Sequence, residues 1–331
     1  MLMNTLQVLK CGLGLTLDGY RQLAFINSFL KPFVRSHTRT TGYQLTATEN
    51  KKVLFYYPMY TILGCAEMYT ALKGRGLTIA ERKRLTLVAA WATLCDDLVD
   101  DHNWSRDEVF NIIFNNPRLD GLPGNVQLLV ALNNEFKKTW NVTNEYINQL
   151  KIALEWQSLS AKQLDPNTTL EEIVRICREK NGNTSLMFAT LVDEAWTEKE
   201  QAFIYQSAMV GQLTNDAFDI YKDTNAGIYT YFNKAASIKQ ARDFFLDECK
   251  KLHATVRACK TSEKNKRDTI RRMSILHAFT LTALDHLQHT EDKLGAPLDW
   301  KKVSRADMVT DMALNSNRIK TVKYMKWLAE Q

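Results

Sequence analysis

The sequence is poor in residues that interrupt helices, with 6 prolines and 13 glycines in 331 residues. So sparse a supply argues against a turn-dense, sheet-rich protein and for long helices. Cysteine is scarce as well. Cys11, Cys65, Cys95, Cys177, Cys249 and Cys259 are scattered and form no C-x-x-C pair. That spacing gives neither a zinc site nor a disulfide framework, and a reducing cytosol is the simplest compartment. No run of eighteen apolar residues occurs, so no transmembrane helix is expected. The opening stretch, Met1 to Leu15, is fairly apolar but lacks a basic n-region, which argues against a secretory signal and leaves it a capping or membrane-surface role. The net charge of +6 is mild. It favours an anionic substrate but provides no basic stripe for nucleic acid. The sequence has no His-Asp dipeptide, as an HD-type phosphohydrolase requires, and no Glu-x-x-His, as a di-iron bundle requires.

What is present is a large apolar share, 45% with 10% aromatic, enough for a sizeable core. Helical periodicity recurs from about residue 45 to the C-terminus. Gly74-Arg75-Gly76 separates two helices, and Ser105-Arg106-Asp107-Glu108 reads as a capping box. Asn115-Asn116-Pro117 and Gly121-Leu122-Pro123-Gly124 mark a loop, Asp165-Pro166 ends a helix, and Asn225-Ala226-Gly227 ends another. The pattern predicts an all-α, single-domain bundle of about ten helices over residues 41–331. Residues 1–40 form an N-terminal segment free to pack on it.

Two acidic clusters stand out in this apolar helical background. The first is Asp96-Asp97-Leu98-Val99-Asp100, followed by Asp101; the second runs from Asn215-Asp216 through Asp219 to Asp223. On a helix Asp96 and Asp100 share a face with Asp97 adjoining it, while Asn215, Asp219 and Asp223 form a stripe two turns long. Alone, each could be a solvated helix face. Yet Trp91, Leu94, Leu98, Leu213, Ala217 and Ile220 around them suit burial, where carboxylates are expensive unless a cation or a solvated cavity offsets the cost. Oxygen-rich clusters of this kind suit a hard divalent ion such as Mg²⁺ on a diphosphate.

In these motifs the chain resembles the class I terpenoid synthases. Asp96, Asp97 and Asp100 match the family's DDxxD motif, and Asn215, Asp216, Asp219 and Asp223 occupy its (N/D)DxxSxxxE motif, with Asp219 for Ser and Asp223 for Glu. Arg178-Glu179-Lys180-Asn181-Gly182 has the spacing of the family's diphosphate sensor four residues before a helix-breaking glycine, with Arg175 as a second choice. The resemblance implies metal ligands Asp96, Asp97, Asp100, Asn215, Asp219 and Asp223, and catalytic roles for Arg178, Asn181 and Gly182. It implies diphosphate contacts from Arg178, Lys222, Arg318 and Tyr324, although the usual adjacent Arg-Tyr pair is absent near the C-terminus. Phe55, Tyr57, Tyr60, Trp91, Phe188, Phe218 and Tyr221 are the candidate aromatic lining. Three Mg²⁺ ions, for which Mn²⁺ can substitute, and a polyprenyl diphosphate of fifteen or twenty carbons would complete the site. The expected reaction is ionisation and cyclisation to a terpene. Bundles of this family often pair, which allows a homodimer.

Two rivals share parts of this pattern. A chain-elongating trans-prenyltransferase would carry a paired Arg-Arg-Gly after the first motif, where Asp101-His102-Asn103-Trp104-Ser105-Arg106 offers one arginine. It would also carry a Gly-Lys-Arg motif near the N-terminus, and none is found. A non-catalytic helical interaction protein would tolerate Asp97→Ala and bind no diphosphate.

Overall fold

The computed structural model describes residues 5–100, 102–115, 118 and 121–330. Asp101, beside the first cluster, and Asn116-Pro117 of the predicted loop lie outside the described residues. Among the described residues sixteen α-helical segments follow in chain order. They are α1 (Thr5–Phe25), α2 (Lys31–Thr41), α3 (Ala47–Lys51), α4 (Tyr57–Thr61), α5 (Glu67–Leu72), α6 (Ile79–Asp100), α7 (Arg106–Phe114) and α8 (Gly124–Thr139). The second half contains α9 (Asn144–Leu159), α10 (Leu170–Ala189), α11 (Glu198–Asn225), α12 (Tyr231–Lys234), α13 (Ile238–Ala258), α14 (Glu263–Leu294), α15 (Arg305–Met308) and α16 (Asn315–Leu328). Three π turns, at Ile26–Leu30, Lys52–Tyr56 and Ile62–Ala66, fuse α1 with α2 and α3 with α4 and α5. The sixteen segments thus make thirteen rods, and no strand occurs among the described residues. The count exceeds the ten or so expected because helices as short as α12 and α15 carry too little periodicity to register.

Side chains at the helix starts explain many of the boundaries. Ser105 and Glu108 cap α7 reciprocally, as do Thr197 and Glu200 at α11, and Thr169 accepts the Glu172 N–H at α10. Thr78 and Glu81 cap α6 in the same way. Glu81 does more. Burial pushes its carboxyl up, but bonds from Arg75 and from the backbone N–H groups of Thr78 and Asp193 outweigh this and hold it at about 2. Because Asp193 lies in the α10–α11 connection, this ionised carboxylate ties the start of α6 to that connection.

Two apolar cores share the bundle. One gathers residues of α5, α11, α13, α14 and α16, among them Phe203, Leu213, Phe245 and Leu284. The other joins the N-terminal rod to α6, α8 and α9 through residues such as Ile26, Leu87, Trp91, Leu129 and Tyr146. Burial of one such side chain contributes roughly 1.5–3 kcal/mol. α6 belongs to one core and α11 to the other, so the two acidic clusters are carried by opposite halves.

The N-terminal rod packs on the bundle. Gln22, fully buried, donates to the Pro58 carbonyl and the Thr86 hydroxyl and accepts from Arg82, which also pairs with Glu67. Arg272 of α14 reaches Asp18 at 2.8 Å. All six cysteines are free thiols. Among the described residues no helix is long and apolar enough to cross a membrane.

Candidate functional site

The last two turns of α6 carry Asp96, Asp97 and Asp100. The chain turns away immediately afterwards, with Asn103 in the left-handed region at φ 56 and the Trp104 N–H bonded to the Leu98 carbonyl at 2.9 Å. Each carboxylate has a neighbour from another element. Tyr57 Oη donates to Asp96 Oδ2 at 3.1 Å, Lys52 Nζ pairs with Asp97, and Gln157 Nε2 of α9 donates to Asp100 at 3.2 and 3.3 Å. Lys52 belongs to the π turn between α3 and α4, and Tyr57 is the residue after it. Such turns recur at functional sites because they re-aim side chains out of the 3.6-residue register.

The second cluster occupies the C-terminal half of α11, which Gly227 closes at φ 72. Asn215 Oδ1 accepts from Tyr56 Oη at 3.3 Å, so the same π turn touches both clusters. Asp216 and Asp223 are buried, at 5% and 7% exposure, and Asp219 is half-buried with Lys222 Nζ at 3.2 Å. Asp216 accepts from Gln212 Nε2 at 2.7 Å. The expected stripe of Asn215, Asp219 and Asp223 therefore gains a member, since Asp216, Asp219 and Asp223 interact through their charges.

The electrostatics set this region apart. Burial raises the Asp216 carboxyl to about 7, with the charges of Asp223 and Asp219 adding to the effect. Burial likewise raises Asp223 to about 6, with Asp219 contributing, and Asp96 to about 6, with Asp100 and Asp97 contributing. One cation opposes the rise at both clusters, because Lys180 of α10 lowers Asp96 and also Asp216. Its ammonium also donates to Ser160 at 3.2 Å. The Asp96 charge, together with burial, holds the Tyr57 phenol well above its ordinary value, so it stays protonated and donating.

Several expected residues sit elsewhere. Arg178 bonds Gln206 and pairs with Glu248, both at 3.0 Å, so its guanidinium is committed to α11 and α13. Arg175 stacks over Trp156, and both arginines border a cavity of about 430 Å³ along the outer side of the start of α10. Asn181 donates to the Cys177 carbonyl of its own helix at 2.8 Å. Gly182 does not break the helix as expected, for α10 runs through it unbroken. A Cβ there would lie 2.4 Å from the Tyr205 ring, so the glycine admits a close approach of α11. Tyr324 bonds Asp285 at 2.9 Å and accepts from Arg242, and Arg318 is exposed with its Nε on the Met312 carbonyl. Among the described residues neither touches a cluster.

The aromatic candidates divide in the same way. Tyr57 is at the first cluster, and Tyr56, absent from the expected lining, has its ring edge-on to Tyr57 and tilted against Tyr60, with centroids 5.9 and 4.7 Å apart. Phe55 and Tyr60 turn outward, at 39% and 56% exposure. Trp91 and Phe188 are core residues, and among the described residues the Trp91 indole N–H has no hydrogen-bond partner. Phe218 and Tyr221 pack half-buried on the other core, Tyr221 under Arg305.

Comparison of the chain with protein-family models, with curated proteins and with solved structures finds no match. What the site can do has to come from its own chemistry. Among the described residues no three His, Cys, Asp or Glu side chains converge closely enough to hold one ion, and Lys52 and Lys222 occupy Asp97 and Asp219. The donor set nevertheless fits a hard divalent cation: it is all oxygen, drawn from two helices, and three of its carboxyls are held up by burial and like charge that a cation would relieve. No linear pattern marks Lys52, Tyr56 or Gln157, and Lys180 could have been found only by asking which side of α10 faces two acidic helices.

Proposed function

We propose that the chain ionises an acyclic polyprenyl diphosphate of fifteen or twenty carbons in the presence of magnesium and cyclises the carbocation to a terpene. One observation carries this reading. Buried carboxyls of high pKa on α6 and α11 have a common cation, Lys180, and a common π turn, which reaches Asp97 through Lys52 and Asn215 through Tyr56, with Tyr57 directly after it on Asp96. Asp96, Asp97 and Asp100 would hold magnesium from one side and Asn215, Asp219 and Asp223 from the other, with Asp216 beside them. Magnesium, when bound, supplies the charge that the departing diphosphate needs.

The chain's own residues account for the rest. Lys180 offers an ammonium to an anion seated between the clusters, and Lys52 does so once its carboxylate partner is engaged. Arg178 reaches such an anion only by leaving Glu248. The Tyr57 phenol, kept protonated by Asp96, can donate a hydrogen bond, while its ring and that of Tyr56 offer faces that stabilise a cation without attacking it.

The test is to incubate the protein with geranyl, farnesyl, geranylgeranyl and geranylfarnesyl diphosphates, each alone and with isopentenyl diphosphate as the five-carbon co-substrate that elongation requires, with and without Mg²⁺, and to analyse products by mass spectrometry. A magnesium-dependent cyclic hydrocarbon or alcohol is expected. Longer diphosphates would mean elongation, and no diphosphate release from any chain length would sink the enzyme reading.

A further inference from the structure

Between Asp18 and Glu49 the chain contains no acidic residue, whereas Arg21, Lys31, Arg35 and Arg39 supply cations. Lys31 and Arg35 are one turn apart on α2 and line a single cavity of about 450 Å³, which Asn50 and Leu54 line as well. Neither cationic group has an ion pair among the described residues, although cations on this protein's surface are commonly paired, as Lys239 with Asp243 and Lys250 with Asp247. The nearby carboxylate, Glu49, is already engaged. It accepts from Tyr43 Oη and from the Thr46 N–H at 2.8 Å in the cap of α3. The cavity wall is therefore basic without an internal counter-ion.

The rest of the lining has a different character. Val34 and Leu54, 1% and 7% exposed, are core residues that also border the cavity, and Leu45 adds to them. The volume lies in the range of small-molecule pockets and far exceeds a bare phosphate. A guanidinium fork and an ammonium on adjacent turns match the oxygens of a phosphate or carboxylate, and the apolar wall matches a hydrocarbon chain. We propose that this cavity binds an anionic headgroup, phosphate or carboxylate, carried on a short apolar tail. Its lining shares no residue with the acidic clusters, so magnesium-free conditions test it apart from any reaction there.

The experiment is calorimetric titration of the full chain, in EDTA, with octyl phosphate, inorganic phosphate and octanol. Saturable one-site binding of octyl phosphate is expected, at least tenfold tighter than either fragment. Lys31→Ala with Arg35→Ala should weaken it at least tenfold, whereas Lys239→Ala with Lys250→Ala leaves it unchanged. Should the first pair fold poorly by circular dichroism, Arg35→Glu, a change at an exposed position, should give the same loss. Co-sedimentation with vesicles containing phosphatidic acid assigns the source: retention that depends on Arg35 means a lipid headgroup, and octyl phosphate binding without retention means a soluble ligand. No saturable binding, binding unchanged in the cation variants, or inorganic phosphate bound as tightly as octyl phosphate would each overturn the proposal.

Discussion

Asp216 is ionised in the unfolded chain above about pH 4 but is held to about 7 in the fold, chiefly by burial. The folded state thus binds more protons than the unfolded state across that window, and stability falls as pH rises through it. Asp216→Asn removes the charge and keeps an oxygen for the Gln212 amide. It should stabilise the magnesium-free protein by roughly 1–2 kcal/mol at pH 8 and by much less at pH 4, read from urea unfolding. A wild type more stable than the variant at pH 8 would contradict the placement. Lys180 is argued by the same physics. Its ammonium repels any cation between the clusters, and an interaction of about 1 kcal/mol corresponds to a factor of about five. Lys180→Gln should therefore lower the Mg²⁺ concentration for half-maximal thermal stabilisation several-fold without substrate. A rise or no change would remove Lys180 from the site. The carboxylates themselves could be read from sequence because DDxxD and its partner are contiguous patterns. Their neighbours Lys52 and Gln157 could not, since they lie far from Asp96 along the chain; Tyr57 was legible as an aromatic but not as a hydrogen-bond donor to Asp96.

Among the elements, helix ends were well marked in sequence, because caps are local. Ser105 with Glu108, the Trp196–Glu200 start of α11 and Gly227 all fall where residue chemistry predicts. The π turns were not marked. They shift the register by one residue, and the Phe55–Tyr60 stretch consequently turns Phe55 and Tyr60 outward while Tyr56 and Tyr57 face the clusters. Gly182 shows the other limit. Its sequence context suggests a break, yet its role is to accommodate a ring from α11. Gly182→Ala gains up to about 1 kcal/mol of helix propensity but drives a Cβ to 2.4 Å from Tyr205. A net loss of roughly 1–3 kcal/mol is expected from such overpacking, with Tyr205→Ala in the same chain recovering part of it. Thermal denaturation of the two variants and their combination measures this coupling.

At the scale of the molecule, a histidine pair links acid stability to the packing of α13 on α14. His253 and His277 are 1% and 4% exposed, and among the described residues both nitrogens of the first and Nδ1 of the second have no hydrogen-bond partner. Burial lowers them to about 4 and about 3, with Arg257 adding to the effect at His253 and His253 at His277. Their folded values lie below the unfolded one near 6.5, so the fold loses stability as pH falls below that point. Compared with His253→Gln/His277→Gln, the wild type should lose about 1 kcal/mol or more of relative stability per pH unit between 6 and 4.5. Chemical denaturation across that range checks it, and parallel curves would show that the pair is not buried neutral.

The sequence by itself determined the all-helical class, most helix boundaries and the two acidic segments, because periodicity, capping and contiguous motifs are properties of neighbours along the chain. Only the tertiary structure decided that α6 and α11 belong to different cores, that a π turn and Lys180 adjoin both clusters, and that Arg178 and Tyr324 are committed to Glu248 and Asp285. Those facts depend on helix register and on which faces pack together. Both arise from contacts between residues remote in sequence, where burial and charge act on distances the linear pattern does not encode.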